Sequence, residues 1–300
     1  MGEAETLGNT FSAARSQRIG ILLAVLATLL FACLNSLTKH ASAVYPMVMI
    51  LWFRYLLFGG FGLTIAVRAH RQRAFSTLVP LLQIARAVLL VTEVGMYVFA
   101  FRHLPLAEIS AISGAAPMVA TAMSAVLLRE AVGIRRWAAV AVGFVGVLII
   151  VRPGFGAFNV WMLLPLGGTV LWALYQVLTR LASQYDGSER TIMFTGTIGF
   201  GLLCLILPFF WEPVNFIWTV KLLALAIFGV AGHSLLIKAL SLAPASLLQP
   251  FSYTGMAWAV LFGWAFFNDF PDAATILGAM IIVTSGLYTL HRQRFRGVAD

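Results

Sequence analysis

From Ile19 to Thr38 the chain runs for twenty residues without a charge. At 1.5 Å of rise per residue, a helix of about that length crosses the hydrocarbon core of a bilayer. Nine more apolar runs follow, at about 47–67, 78–101, 106–128, 135–151, 160–180, 191–211, 219–240, 245–267 and 273–290. The breaks between them are short and carry turn signals such as Tyr45-Pro46, Arg152-Pro153-Gly154, Tyr185-Asp186-Gly187 and Pro271-Asp272. Hydrophobic residues make up 61% of the chain and charged residues 10%, whereas a soluble domain carries roughly 25% charged residues. So little charge cannot cover a soluble surface, which excludes soluble enzymes, disordered tails and secreted disulfide scaffolds. Short runs of alternating polarity are absent, which argues against a barrel. The expected fold is all-α and integral to the membrane, with ten transmembrane helices. The first run follows Arg15 and Arg18 and precedes Ala41-Ser42-Ala43, a pattern shared with signal peptides. It exceeds their usual apolar core of about 7–15 residues and is read as a retained helix.

The net charge of +9 could point to nucleic acid, but the placement of the charges does not. With the N-terminus inside, the inner segments hold Arg15, Arg18, Arg68, Arg71, Arg73, Arg129, Arg135, Arg136, Arg180, Arg190, Arg292, Arg294 and Arg296. The outer loops hold only Lys39, Arg102, Arg152 and Lys221. This bias puts both termini in the cytoplasm, with the lipid bilayer as partner and no nucleic acid. Three cations, Arg54, Arg86 and Lys238, fall inside apolar runs. Cys33 and Cys204 also lie in apolar runs and read as small packing residues. No metal-ligand, redox or cofactor spacing is present.

The chain repeats itself. Ala27–Ala41 reads ATLLFACLNSLTKHA and Gly168–Ala182 reads GTVLWALYQVLTRLA, with Thr28/Thr169, Leu30/Leu171, Ala32/Ala173, Leu37/Leu178, Thr38/Thr179 and Ala41/Ala182 identical at an offset of 141. An offset of 139 then pairs Pro105 with Pro244, Ser113 with Ser252, Ala120 with Ala259 and Glu130 with Asp269. Five runs per copy is an odd number, so the second copy enters the bilayer from the opposite side. Arg135 and Arg136 correspond to Ala274 and Thr275, as expected for a loop that has changed sides. The organisation is an N-terminal tail (1–18), a first five-helix repeat (19–152), an inverted second repeat (158–291) and a C-terminal tail (292–300). Inverted repeats are an architecture of secondary transporters.

The stretch FRHLPLAEISAISGAAPMVATAMSAVLLREAVGIRRWAAVAVGFVGVLIIVRPG from Phe101 resembles the first copy of the EamA-type drug/metabolite transporter superfamily. KALSLAPASLLQPFSYTGMAWAVLFGWAFFNDFPDAATILGAMIIVTSG from Lys238 resembles the second. The resemblance spans about 19–290 and implies ten helices, cytoplasmic termini and a central substrate cavity. Arg54 stands about a third of the way into the second run, a position where arginine is common in the family. Around Pro105 and Pro244 the chain is most similar to members that move vitamins or amino-acid derivatives. Asn268-Asp269 stands where the family usually carries glycine and glutamate.

Ionisable groups at depth in a bilayer are costly unless paired or hydrated, so each is a candidate for function. Glu93 and Arg86 lie seven residues apart in the third run and are expected to face the cavity, with Glu93 as the proton-coupling carboxylate. Arg54 could hold a substrate carboxylate or snorkel and pair. His233 maps to Val94 and could serve a proton relay. Lys238, nearer a helix end, reads as snorkelling. Pro117 and Pro250 are expected to interrupt helices at corresponding positions, where freed carbonyls could face a ligand. Ser110, Ser113, Gln249, Ser252 and Tyr253 could add hydrogen bonds there, as could the repeat-paired Asn35 and Gln176. Trp172, Tyr175, Tyr97, Tyr253 and Trp258 could stack on a planar ligand. Trp137, Trp161, Trp211 and Trp218 read as interface anchors. Gly143 with Gly146, Gly167 with Gly168, and Gly196 with Gly199 let helices approach.

The expected function is secondary active transport of a small organic metabolite across the cytoplasmic (inner) membrane by alternating access, coupled to protons or by exchange. No Walker motif is present. The excess of buried cations favours riboflavin-like vitamins or zwitterionic amino-acid-type compounds over cationic drugs. Export of amino acids, metallophores or drugs on the same fold is the alternative, and a channel or an intramembrane enzyme is remoter. No catalytic residue is expected, and the chain is read as a monomer or homodimer.

Overall fold

The structure is a computed structural model that describes residues 2–127, 133–152, 159–182, 184–243 and 245–296. Among them every regular element is helical. The elements are α1 (Gly2–Ser42), α2 (Met47–His70), α3 (Pro80–His103), α4 (Leu106–Ser113), α5 (Ala116–Leu127), α6 (Ile134–Val151), α7 (Leu163–Ala182), α8 (Ser188–Ile206), α9 (Phe216–Leu242), α10 (Ala245–Ser252), α11 (Thr254–Phe267) and α12 (Ala273–Arg296). By length and composition, seven helices among the described residues can cross a membrane, beginning at Arg15, Met47, Pro80, Leu106, Val160, Ser188 and Phe216. Trp137–Val151 and Ala273–Tyr288 are shorter apolar helices. Large apolar side chains such as Leu22, Leu81, Phe216 and Phe266 are exposed. That is a liability in water and the expected lipid-facing surface of a membrane protein.

The helix ends follow from local chemistry. Pro46 and Pro105 precede α2 and α4, and Pro80 opens α3, positions where the missing N–H costs nothing. Asn215 Oδ1 accepts the N–H of Trp218 at 2.9 Å at the start of α9, and Asp272 Oδ1 accepts that of Thr275 at 2.8 Å at the start of α12. α11 ends on Asn268 with φ 55°, the left-handed conformation that glycine adopts freely and asparagine tolerates best among other residues. Asn268 therefore satisfies the backbone demand that the family's glycine would meet. α1 extends back through the stretch read as an N-terminal tail, and α12 continues past 291.

Two sequence expectations need correction. Pro117 and Pro250 do not mark the breaks in the fourth and ninth runs. The first helix breaks at Gly114–Ala115 and the second at Tyr253. Pro117 sits in the first turn of α5, where proline is compatible with helix, and is exposed. Pro250 lies inside α10, three residues before its break.

α1 packs on α9 and α11, α2 on α8, α3 on α7 and α8, α5 on α7, and α6 on α12. Glycines permit the closest of these contacts. A Cβ at Gly196 would lie 2.8 Å from the Gly59 Cα, and one at Gly278 would lie 2.6 Å from the Gly146 carbonyl oxygen. Gly143, Gly167, Gly168 and Gly199 instead make room for the side chains of Met118, Met96, Tyr97 and Tyr55. One core cluster joins Leu34, Met49, Ile50, Leu51, Tyr55, Leu222 and Leu225. A second joins Phe101, Leu106, Ile109, Ile112, Ile150 and Ile282.

Candidate functional site

Polar residues of α2, α3, α7 and α9 meet in the interior. Glu93 on α3 is 7% exposed and makes no side-chain hydrogen bond among the described residues. The opposite charge acting on it is that of Arg54, on α2. Arg54 also acts on its neighbour Tyr55 and on His233 of α9. Protein surrounds Arg54 and His233, yet both keep accessible surface.

His233 Nδ1 lies 2.9 Å from the Gly229 carbonyl oxygen. A carbonyl only accepts, so the proton sits on Nδ1 and Nε2 is the basic nitrogen of the neutral ring. Phe31 meets the imidazole edge-on at 4.9 Å and Phe58 flanks it at 5.8 Å. Tyr55 is 2% exposed, and its buried hydroxyl finds no partner among the described residues. Glu93 and Tyr175 both act on it electrostatically. Tyr97, one turn from Glu93 on α3, bonds Thr169 Oγ1 at 3.0 Å and accepts from Ser113 Oγ at 3.0 Å. Ser113, at the end of α4, is thereby tied to α3 and α7.

Arg86, expected to face a cavity, is fully buried, and its partners do not include Glu93. Its Nη1 donates to Gln83 Oε1 at 2.7 Å, its Nε to Thr179 Oγ1 at 3.0 Å and its Nη2 to the Tyr175 hydroxyl at 3.3 Å. The guanidinium also stands 5.0 Å from the Tyr175 ring centroid. The physical reason is distance: two helical turns separate Arg86 from Glu93 by about 10 Å along α3, while α7 lies directly against it. Tyr175 stacks on Trp172 at 5.5 Å and 23°. Gln83 Nε2 continues outward to Asp186 Oδ2 at 2.9 Å. Asp186, in the loop between α7 and α8, is 1% exposed and also accepts from Thr77 Oγ1 and, at 3.4 Å, from the Leu78 N–H. Burial alone would raise the Asp186 carboxyl. The bonds from Thr77, Gln83 and Leu78, with the Arg190 charge, outweigh burial and hold it below the ordinary aspartate range.

The other polar candidates lie apart from this cluster. Asn35 is half-buried and Gln176 is exposed. Tyr253, at the break before α11, buries its hydroxyl against Gly286 with no partner among the described residues, and Trp258 Nε1 is likewise buried without one. Ser110 is half-buried, Ser252 is exposed, and Lys238 is exposed near the end of α9. The side chain of Gln249 and all of Glu130 lie outside the described residues. At the bundle end formed by Lys39 and Asp269, the Lys39 ammonium donates to Asp269 Oδ2 at 2.7 Å and to the Leu104 carbonyl at 2.9 Å. There Arg152 pairs with Asp272. The aromatic residues expected at helix ends do stand there: His103 stacks on Trp161 at 3.9 Å and His40 on Trp218 at 4.9 Å. Cys33 and Cys204 are free thiols.

Sequence reasoning did not single out Tyr55, Gln83, Thr179 or Asp186. A polar residue inside an apolar run was the available signal for Gln83. Asp186 reads as an ordinary Asp-Gly turn.

This interior, in which apolar helices enclose a few opposed charges and stacked aromatics, is that of a membrane transporter. Residues 18–152 and 159–290 match the EamA-like transporter family, and the chain belongs to it. It is a transporter of small molecules and not an enzyme. It is 29% identical to a riboflavin transporter of Vibrio cholerae over 89% of this chain and 91% of that one. It is 28% identical to a pseudopaline exporter of Pseudomonas aeruginosa over 89% and 94%. An S-adenosylmethionine uptake transporter of Rickettsia prowazekii is 21% identical over 86% and 87%. A crystal structure of a protein 19% identical shares the fold, with a TM-score of 0.62 over 94% of this chain and 99% of that one.

Proposed function

We propose that the chain is a secondary active transporter moving a riboflavin-like vitamin or a zwitterionic amino-acid-type metabolite across the cytoplasmic membrane by alternating access. Ten spanning helices form two inverted five-helix repeats, with both termini cytoplasmic. The bounds of α4 (Leu106–Ser113) and α10 (Ala245–Ser252) support this, since each pair of ends differs by 139, the sequence offset. So does the packing. Exchanging the halves converts α1–α9 into α3–α7 and α1–α11 into α5–α7, and returns α2–α8 and α6–α12 to themselves.

The substrate reading is carried by the electrostatic influence of Arg54 on Glu93 and His233, together with the Tyr175–Trp172 stack packed against the cluster that holds Tyr55. Arg54 with His233 suits a carboxylate or a carbonyl-rich ring, Glu93 suits an ammonium or a coupling proton, and the stacked pair suits a flat ring. Relatives that carry riboflavin and S-adenosylmethionine handle molecules of this kind. The pseudopaline exporter among the relatives supports export on the same fold as the second reading.

Riboflavin entry into proteoliposomes under an imposed pH gradient, followed by its own fluorescence, tests the proposal. Saturable uptake that collapses with the gradient, together with counterflow, is expected of a carrier. Glu93→Gln is expected to abolish the proton-driven uptake and spare exchange. Uptake no faster than in empty liposomes removes the flavin reading, and non-saturable flux without counterflow favours a channel.

A further inference from the structure

The chain of bonds that starts at Asp186 ends on the aromatic pair. Asp186 accepts from Gln83 Nε2, Gln83 Oε1 accepts from Arg86, and Arg86 holds Tyr175 both at its hydroxyl and under its ring. Every bond is donor to acceptor with no conflict. Arg86 uses all three nitrogens of its guanidinium, on Gln83, Thr179 and Tyr175. Gln83 uses both ends of its amide. Gln83 and Arg86 are 0% exposed, so no other group competes for these bonds. Flipping the Gln83 amide would set its NH₂ against the Arg86 donors and its oxygen against the Asp186 carboxylate, so the network fixes that orientation. Tyr175 in turn stacks on Trp172 and acts electrostatically on Tyr55, beside Arg54 and Glu93. The positions that correspond through the repeat, at offsets of 139 and 141, are Leu222, Leu225 and Leu34 in place of Gln83, Arg86 and Tyr175. The relay thus occupies one of two helix contacts related by the repeat, α3 with α7, and its counterpart, α9 with α1, is apolar.

We infer that Gln83 and Asp186 are positioning residues of the transport site: through Arg86 they set the Tyr175 ring that, with Trp172, forms the wall receiving the flat part of the substrate. This rests on the proposed function for its substrate and on the bond chain for its mechanism. The Asp186 end lies in a loop joined to the start of α3, so the same bonds register that end of the bundle against the wall of the cavity. Loss of Gln83 frees the guanidinium to turn about Thr179 and releases the ring.

The test uses full-length protein labelled with 3-fluorotyrosine and read by ¹⁹F NMR, with the Tyr175 resonance assigned by Tyr175→Phe. Gln83→Leu, which copies the residue at position 222, is expected to shift and broaden the Tyr175 resonance. It should also raise the KM for riboflavin about tenfold while leaving Vmax within about twofold. A purely structural role would lower Vmax through the amount of folded carrier and leave KM alone. Asp186→Asn keeps an acceptor toward Gln83 and is expected to give a smaller shift in the same direction, and it supplies the test if Gln83→Leu does not fold. An unmoved Tyr175 resonance overturns the inference whatever the carrier transports, as does a moved resonance with unchanged KM. If the wild type carries no riboflavin, the substrate reading fails and the resonance alone decides the relay.

Discussion

Two helix contacts related to each other by the repeat are built from opposite chemistry. Where α3 meets α7, Gln83, Arg86, Tyr175 and Thr179 are joined by hydrogen bonds at 2.7–3.3 Å. Where α9 meets α1, the matching positions are Leu222, Leu225, Leu34 and Thr38. The three leucines are no more than 2% exposed, and among the described residues Thr38 donates within its own helix, to the Leu34 carbonyl at 2.7 Å. An apolar contact tolerates small shifts of register, because dispersion has no direction. A buried guanidinium with three fixed partners has one good geometry, and breaking it strands polar groups in a low dielectric. The comparison teaches that the fold needs only the apolar version, and that the polar version is a specialisation placed beside the interior charges.

The largest expected effect comes from moving the charge to the wrong side. Leu225→Arg puts a cation among leucines with no acceptors, at a cost of several kcal/mol. Little monodisperse protein should survive detergent extraction, and normal yield and Tm would break the comparison. Arg86→Leu leaves Gln83, Tyr175 and Thr179 without their donor and is expected to cost about 1–3 kcal/mol in thermal unfolding. Adding Gln83→Leu rebuilds the leucine contact and should recover most of that stability while transport stays impaired. A strictly additive double-mutant cycle would deny the coupling. Gly196→Val, at a backbone contact outside both interfaces, is expected to cost about 1–3 kcal/mol by overpacking against Gly59. Lys39→Ala removes the ion pair with Asp269, in which the partners are 15% and 31% exposed, and should lower stability by no more than about 1 kcal/mol. The smallest effect is that of pH. The Asp186 carboxyl is held below its ordinary range, so its pairing stabilises the fold at neutral pH and fades only as pH falls through that depressed value. Between about pH 5 and 8 the Asp186→Asn difference in Tm should be flat.

The helical segments and the duplication were legible because apolar run length and constant offsets are properties of the sequence itself. The breaks were legible only to within a few residues. Proline draws attention, but Pro117 fits the first turn of α5, and the chain bends at Gly114–Ala115 instead. The interior charges were legible one at a time, and their pairing was not. Spacing along α3 puts Arg86 and Glu93 two turns apart, too far for an easy direct pair, but it does not say that the groups that bond Arg86 beyond its own helix come from α7 or that the charge acting on Glu93 comes from α2. Asp186 has the sequence of an exposed turn and is covered because Thr77 and the start of α3 fold over it. Such contacts join residues about a hundred positions apart, and nothing local in the sequence encodes them.

Access to one interior cavity from each side in turn is the central claim. His233→Cys, in a protein carrying Cys33→Ala and Cys204→Ala, tests it with a membrane-impermeant thiol reagent applied to right-side-out or inside-out vesicles. The account predicts modification from both faces, with substrate added on one side suppressing labelling from one face as it promotes labelling from the other. Labelling from neither face, or from both together without any response to substrate, would contradict it.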